Sequence, residues 1–134
     1  MRYLIATLAA LGVLVSVLAL HVHYSDELQP CDFNSHWDCG VVNHSRYAEV
    51  HGIPVAVLGI AGYAAIAVLA VARRRWLLLC AAVGGLGFAL YLSHIEAHVL
   101  HVWCLYCVIS QGIIAIIFLL SLVDAIRAAR TRAA

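Results

Sequence analysis

Cys104 and Cys107 stand three residues apart in HVWCLYC, between a histidine-rich stretch and a long apolar run. Residues i and i+3 of a helix share a face, and the unpaired amides of a helix N-terminus favour a thiolate. The pair reads as a redox dithiol, with Cys104 the exposed thiol and Cys107 about one turn deeper in the apolar layer. A bridge between the two suits a structural staple poorly, because it closes almost no loop. A second pair, Cys31 and Cys39, bounds CDFNSHWDC. For that pair a staple and a redox role are both open, since cysteines in an oxidising compartment are disulfide-competent. Cys80 lies inside an apolar run and reads as a small buried hydrophobe.

The elements that position these thiols follow from composition. A chain of 134 residues that is 65% hydrophobic and 11% charged, with mean hydropathy +0.98, is not an ordinary soluble domain. Apolar runs predict helices over 3–22, 53–72, 76–93 and 101–123, each long enough to cross a hydrocarbon core about 30 Å thick. The expected fold class is all-α: an integral membrane four-helix bundle in one domain, 1–134, with an outer loop over 23–52. The first run reads as a retained span rather than a cleaved signal, being longer than an h-region with no clean Ala-x-Ala site after it. Pro30 argues against lipidation at Cys31 within Leu28-Gln29-Pro30-Cys31. Pro54 suits the first turn of the second span, with Gly52 letting the chain turn in. Ala81, Gly85 and Ala89 make a small-residue face on the third span, and Gly84 and Gly87 read as packing positions.

Orientation follows from arginine, since the chain has no lysine. Arg2, Arg73, Arg74, Arg75, Arg127, Arg130 and Arg132 mark one side as cytoplasmic and Arg46 alone lies elsewhere, so both termini are expected inside. The loop 23–52 and the connection 93–101 then face outward. With them go Asp26, Glu27, Asp32, Asp38, Glu49, Glu96, all eight histidines and four of the five cysteines. A dithiol at the entrance to a membrane joins thiol exchange in water to a carrier soluble in lipid, and a quinone takes the two electrons a dithiol gives.

CDFNSHWDC, Ser45 six residues on, HGIPVAVLG leading into the second span, and CLYC opening the fourth resemble, in order and spacing, bacterial homologues of the vitamin K epoxide reductase family. The resemblance covers nearly the whole chain. It implies a thiol:quinone oxidoreductase that supports disulfide formation. Cys31 and Cys39 would accept electrons from a thioredoxin-like (DsbA-like) periplasmic partner acting in trans, Cys39 would exchange with Cys104, and Cys107 would pass electrons to menaquinone or ubiquinone. It also implies a short interfacial helix over 43–50 in which Ser45 supports the loop and the quinone pocket. Gln111 and Val55 stand where animal members carry a tyrosine and an asparagine, which favours quinone over epoxide as substrate. Trp103 and Tyr106, beside the redox pair, and Gln111 are further pocket candidates. A bacterial inner membrane is the expected location, with no metal and no nucleic acid.

A different class of function comes from histidine. His94, His98 and His101 fall at i, i+4 and i+7, and with Glu96 and Cys104 they suggest a metal-binding or transport protein. A polar histidine rim is the preferred reading.

Overall fold

In lipid every backbone amide and carbonyl must find its partner within the segment, so the apolar runs fold as helices. The computed structural model describes residues 1–25, 27 and 30–133. Asp26, Leu28, Gln29 and Ala134 lie outside the described residues, and with them part of the Leu28-Gln29-Pro30-Cys31 stretch. In chain order the helices are α1 (Arg2–Tyr24), α2 (Cys39–His44), α3 (Val55–Val71), α4 (Arg75–Ile95) and α5 (Leu105–Ala133). Three are long and apolar enough to cross a membrane: α1, α4 with its continuation to Leu100, and α5. The apolar α3 is shorter at 17 residues, or about 26 Å at the usual rise per residue. Leu4, Leu11, Leu14, Leu77 and Leu119 are exposed around the outside, which suits lipid rather than water as the surrounding solvent. The protein is an all-α membrane helical bundle.

The core gathers Ile5 and Ala9 of α1, Tyr63 and Ile66 of α3, Leu78 and Ala82 of α4, and Ile114 and Ile117 of α5. Glycine sets the closest approach. A Cβ on Gly12 would sit 2.5 Å from the Tyr63 ring, and one on Gly59 would sit 2.7 Å from Ser16 Oγ, so each glycine of the α1–α3 seam makes room for a side chain of the other helix. On the face expected from sequence, Gly85 lies under Ile114, and Ala81 and Ala89 pack against the same core. Gly84 and Gly87 behave differently from expectation: a Cβ there would meet nothing within 4 Å. At the arginine-rich end, Arg75 and Asp124 pair at 3.3 Å and join α4 to α5.

Several boundaries depart from the hydropathy reading. The third helix in the chain begins at Val55 rather than 53, because β1 (Glu49–Val50) and β2 (Ile53–Pro54) pair as a two-stranded hairpin. Its turn uses His51 and Gly52 at positive φ. Pro54 thus caps α3 instead of filling its first turn. The last helix begins at Leu105 rather than 101, because α4 continues through a π-helical turn, Glu96–Leu100, that stops at His101 in the left-handed region. It runs on to Ala133 rather than 123: the apolar run marks the membrane, while the arginine-bearing turns beyond it stay helical. The short helix expected over 43–50 forms earlier, at Cys39–His44, because Asp38 caps it by accepting the Val41 amide at 3.0 Å. A 3-10 turn, Arg46–Ala48, follows. Cys80 is exposed on the outside of α4, not buried. An all-apolar helix carries no periodic signal to say which face looks inward.

Candidate functional site

The segment between α1 and α2 folds down onto the start of α5. Asn34 Oδ1 accepts the amides of His36 (2.8 Å) and Trp37 (3.1 Å), and Trp37 O accepts the Phe33 amide at 2.9 Å, making a tight turn between Cys31 and Cys39. The strand-like segment after that turn pairs with the segment before α5. The Trp103 amide donates to His36 O at 2.7 Å, and the Asp38 amide donates to Trp103 O at 3.0 Å. Two segments more than sixty residues apart are thereby clamped together, and their cysteines meet.

Cys31 and Cys39 are joined as a disulfide, with Cα atoms 5.9 Å apart. Cys104 and Cys107 are free thiols. Cys104 Sγ lies 3.4 Å from Cys39 Sγ, and both residues are 0% exposed. The expectation that Cys104 is the exposed thiol is therefore wrong. The loop covers it, and Cys107, one turn on, is the partly exposed member. Cys104 O accepts the Val108 amide at 3.1 Å, so the thiol sits at the N-terminal cap of α5, where the helix dipole favours negative charge. A hydrogen bond from the Cys107 thiol holds Cys104 below the ordinary cysteine value, and the Asn43 amide adds to this; burial and the Glu96 carboxylate oppose it.

Asn43 is buried and bridges the two cysteine pairs. Its Nδ2 donates to Cys39 O at 2.9 Å and to Cys104 Sγ at 3.4 Å. Its own carbonyl lies 2.6 Å from His23 Nδ1, and His23 Nε2 lies 3.2 Å from Glu49 Oε1. Through its two ring nitrogens His23 ties the end of α1 to α2 and to β1. Glu96, 3% exposed, accepts the Cys104 amide through Oε2 at 3.1 Å.

A cavity of about 370 Å³ opens between α1, α3, α4 and the start of α5. Its walls are mostly aliphatic, with Tyr63, Phe88 and Tyr106 among them, and Cys107 is the only cysteine that lines it. Of the pocket candidates named from sequence, Ser45 and Tyr106 line the cavity, while Trp103 and Gln111 do not. Trp103 is held in the loop clamp, and Gln111 accepts a short hydrogen bond from Ser93. Ser45 Oγ donates to Val42 O at 2.8 Å, closing the end of α2. Gly84, read as a packing glycine, forms part of the wall.

His94 and His98 lie with ring centroids 4.7 Å apart and planes tilted by 49°, but His94, His98 and His101 do not converge. The π turn and the left-handed His101 break the i, i+4, i+7 register. Among the described residues the one group of three donors close enough to share an ion is Cys31, Asp32 and Cys39, and its two sulfurs are bonded to each other. Sequence reasoning passed over Asn43 as a site residue and took Glu96 only as a metal-ligand candidate. A carboxylate interrupting an apolar run beside a membrane is itself a signal of function; nothing marks Asn43 beyond its position one turn after Cys39.

The arrangement can carry thiol–disulfide exchange between buried sulfurs in contact, and a dithiol whose inner member faces an apolar cavity. A model of the vitamin K epoxide reductase family matches residues 3–122. The chain belongs to that family, and is an integral membrane thiol–disulfide oxidoreductase of a family that uses a quinone as electron acceptor.

Proposed function

From that membership, we propose that the protein oxidises a thioredoxin-like, DsbA-like partner in the periplasm and passes the electrons to menaquinone or ubiquinone in a bacterial inner membrane. The observation that carries the reading is the 3.4 Å contact between the buried sulfurs of Cys39 and Cys104, with Cys107 one turn away on a cavity wall. The partner's dithiol reduces the Cys31–Cys39 disulfide. Cys39 thiolate then attacks Cys104 of a Cys104–Cys107 disulfide and Cys107 leaves. Cys31 attacks Cys39, releasing Cys104. The loop is now a disulfide and the inner pair a dithiol, which is the bonding state described above. The inner dithiol holds the two electrons owed to the quinone.

The cavity suits a quinone head group by its chemistry. Its volume falls within the range of small-molecule sites, and its walls pair aliphatic surface with the hydroxyls of Tyr47 and Tyr106 for the two carbonyls. When bound there, the quinone supplies the two-electron acceptor. Tyr63, whose hydroxyl donates to Ser110 O at 2.7 Å, holds α5 in register so that Cys107 stays on the wall. Trp103 anchors the loop clamp, and Gln111 braces α5 against α4. The arginine asymmetry puts both termini in the cytoplasm, with α3 crossing as the fourth span.

Anaerobic mixing of dithiol-reduced protein with soluble menaquinone and ubiquinone analogues tests this reading. Stoichiometric quinol, one per Cys104–Cys107 disulfide formed, is expected. Disulfide formation without quinol, or a quinone that leaves the thiols reduced, would sink it.

A further inference from the structure

Glu96 is a buried carboxylate that thiol exchange leaves unused. It is 3% exposed, and its carboxylate accepts the Cys104 amide at 3.1 Å and interacts with the Cys107 thiol. It also lines the cavity. The backbone holds it there: Glu96 O accepts the Val102 amide at 3.2 Å, and the π turn that begins at Glu96 ends at the left-handed His101. Irregular turns of this kind recur at functional sites. Among the described residues Glu96 is in no ion pair, so no cation compensates it. If accepting an amide were its whole task, a glutamine would do it without burying an ionisable group.

Resting on the quinone-reduction reading, we propose that Glu96 is the proton carrier of the inner dithiol: it takes the Cys107 proton as the Cys104–Cys107 disulfide forms and returns it to the electron acceptor in the adjoining cavity. The step balances. Cys104 thiolate forms the new S–S bond to the Cys107 sulfur, and the electron pair released passes to the quinone. The Cys107 proton goes to a Glu96 carboxylate oxygen and then to one quinone oxygen; the second quinone oxygen takes a proton from water. One thiolate, one thiol, one quinone and one proton thus give one disulfide and one quinol. The titratable groups near Glu96 are Cys104, Cys107 and, along the cavity wall, Tyr47, Tyr63 and Tyr106. Glu96 itself touches both members of the dithiol and lines the cavity. Tyr63 is committed to Ser110.

Glu96→Gln keeps an acceptor for the Cys104 amide and removes the proton exchange. In that variant quinol formation should fall about 10²- to 10⁴-fold, the usual contribution of a positioned acid–base group. Exchange between Cys39 and Cys104, followed by trapping with a small dithiol, should stay within a few-fold of wild type, and Glu96→Asp should recover part of the quinol rate. A readout that needs no quinone is the infrared difference spectrum between the dithiol and disulfide states, poised with dithiothreitol. It should contain a carboxyl protonation band that Glu96→Gln removes. Quinol formation by Glu96→Gln within threefold of wild type overturns the proposal, as does a difference spectrum without that band. Equal loss of exchange and quinol steps also overturns it, by making Glu96 structural. Absence of quinol from wild-type protein would instead strike the quinone reading, with the infrared band still deciding whether Glu96 moves a proton.

Discussion

Removing Cys31, Cys80 and Cys107 together, as Cys31→Ser, Cys80→Ala and Cys107→Ser, leaves only Cys39 and Cys104, and isolates the central step. Their sulfurs lie 3.4 Å apart, so a bond of roughly 2.05 Å needs about 1.4 Å of approach. Rotation about two Cα–Cβ bonds supplies much of that, and the Trp37–Trp103 bridge keeps the backbones together. A thiol confined within a few ångströms of its partner has an effective concentration on the order of 1 M, even without the larger gains of ideal alignment. Against about 1 mM external glutathione the internal bond is favoured about 10³-fold, close to 4 kcal/mol. The triple variant, purified in detergent and equilibrated in a millimolar glutathione buffer, should therefore carry a Cys39–Cys104 disulfide. Peptide mapping without reduction reads it directly, and glutathione adducts should amount to about 0.1% by the same estimate. Cys104→Ser in the same background should leave Cys39 modified by glutathione. Predominant glutathione adducts on a triple variant with wild-type helicity would refute the contact, and with it the relay between the two pairs.

Three further outcomes follow. The Cys107 thiol is the leading cause that holds Cys104 below its ordinary value, so the Cys104 thiolate is lost as pH falls through that depressed value. Cys107→Ala should move the midpoint of Cys104 alkylation, read site by site by mass spectrometry, to higher pH, and an unmoved midpoint would remove the Cys107 hydrogen bond as the cause. Gly12→Ala forces a Cβ into the Tyr63 ring at 2.5 Å and should cost about 1–3 kcal/mol of stability in a detergent melt, whereas Gly62→Ala, with nothing within 4 Å, should cost much less. Alkaline phosphatase joined after Ser25 should be active and a fusion after Arg75 silent in a bacterial host; the reverse pattern would move the thiols to the cytoplasmic side.

The lipid-spanning character, the four apolar helices and the gathering of four cysteines at one end of the bundle could all be read from the chain itself. Hydropathy is a property of segments, and basic residues next to them carry the orientation signal wherever the segments pack. The order CDFNSHWDC, Ser45, CLYC was likewise readable, because a family resemblance is written in spacing. Helix ends were read less well, since a hydropathy boundary reports where lipid stops. It does not report where Asp38, Pro54 or His101 starts or stops a helix. Which cysteine is covered was beyond the sequence altogether. Cys104 looks water-facing at the head of an apolar run, and it is buried because residues 36–38, more than sixty positions away, pair with Trp103 across it. Glu96 and Asn43 owe their places to the same closure: one comes in from the π turn after α4 and the other from α2. An amide or carboxylate gains a role at a thiol only when tertiary contacts bring it within hydrogen-bonding reach, and no local periodicity encodes a distance between segments so far apart.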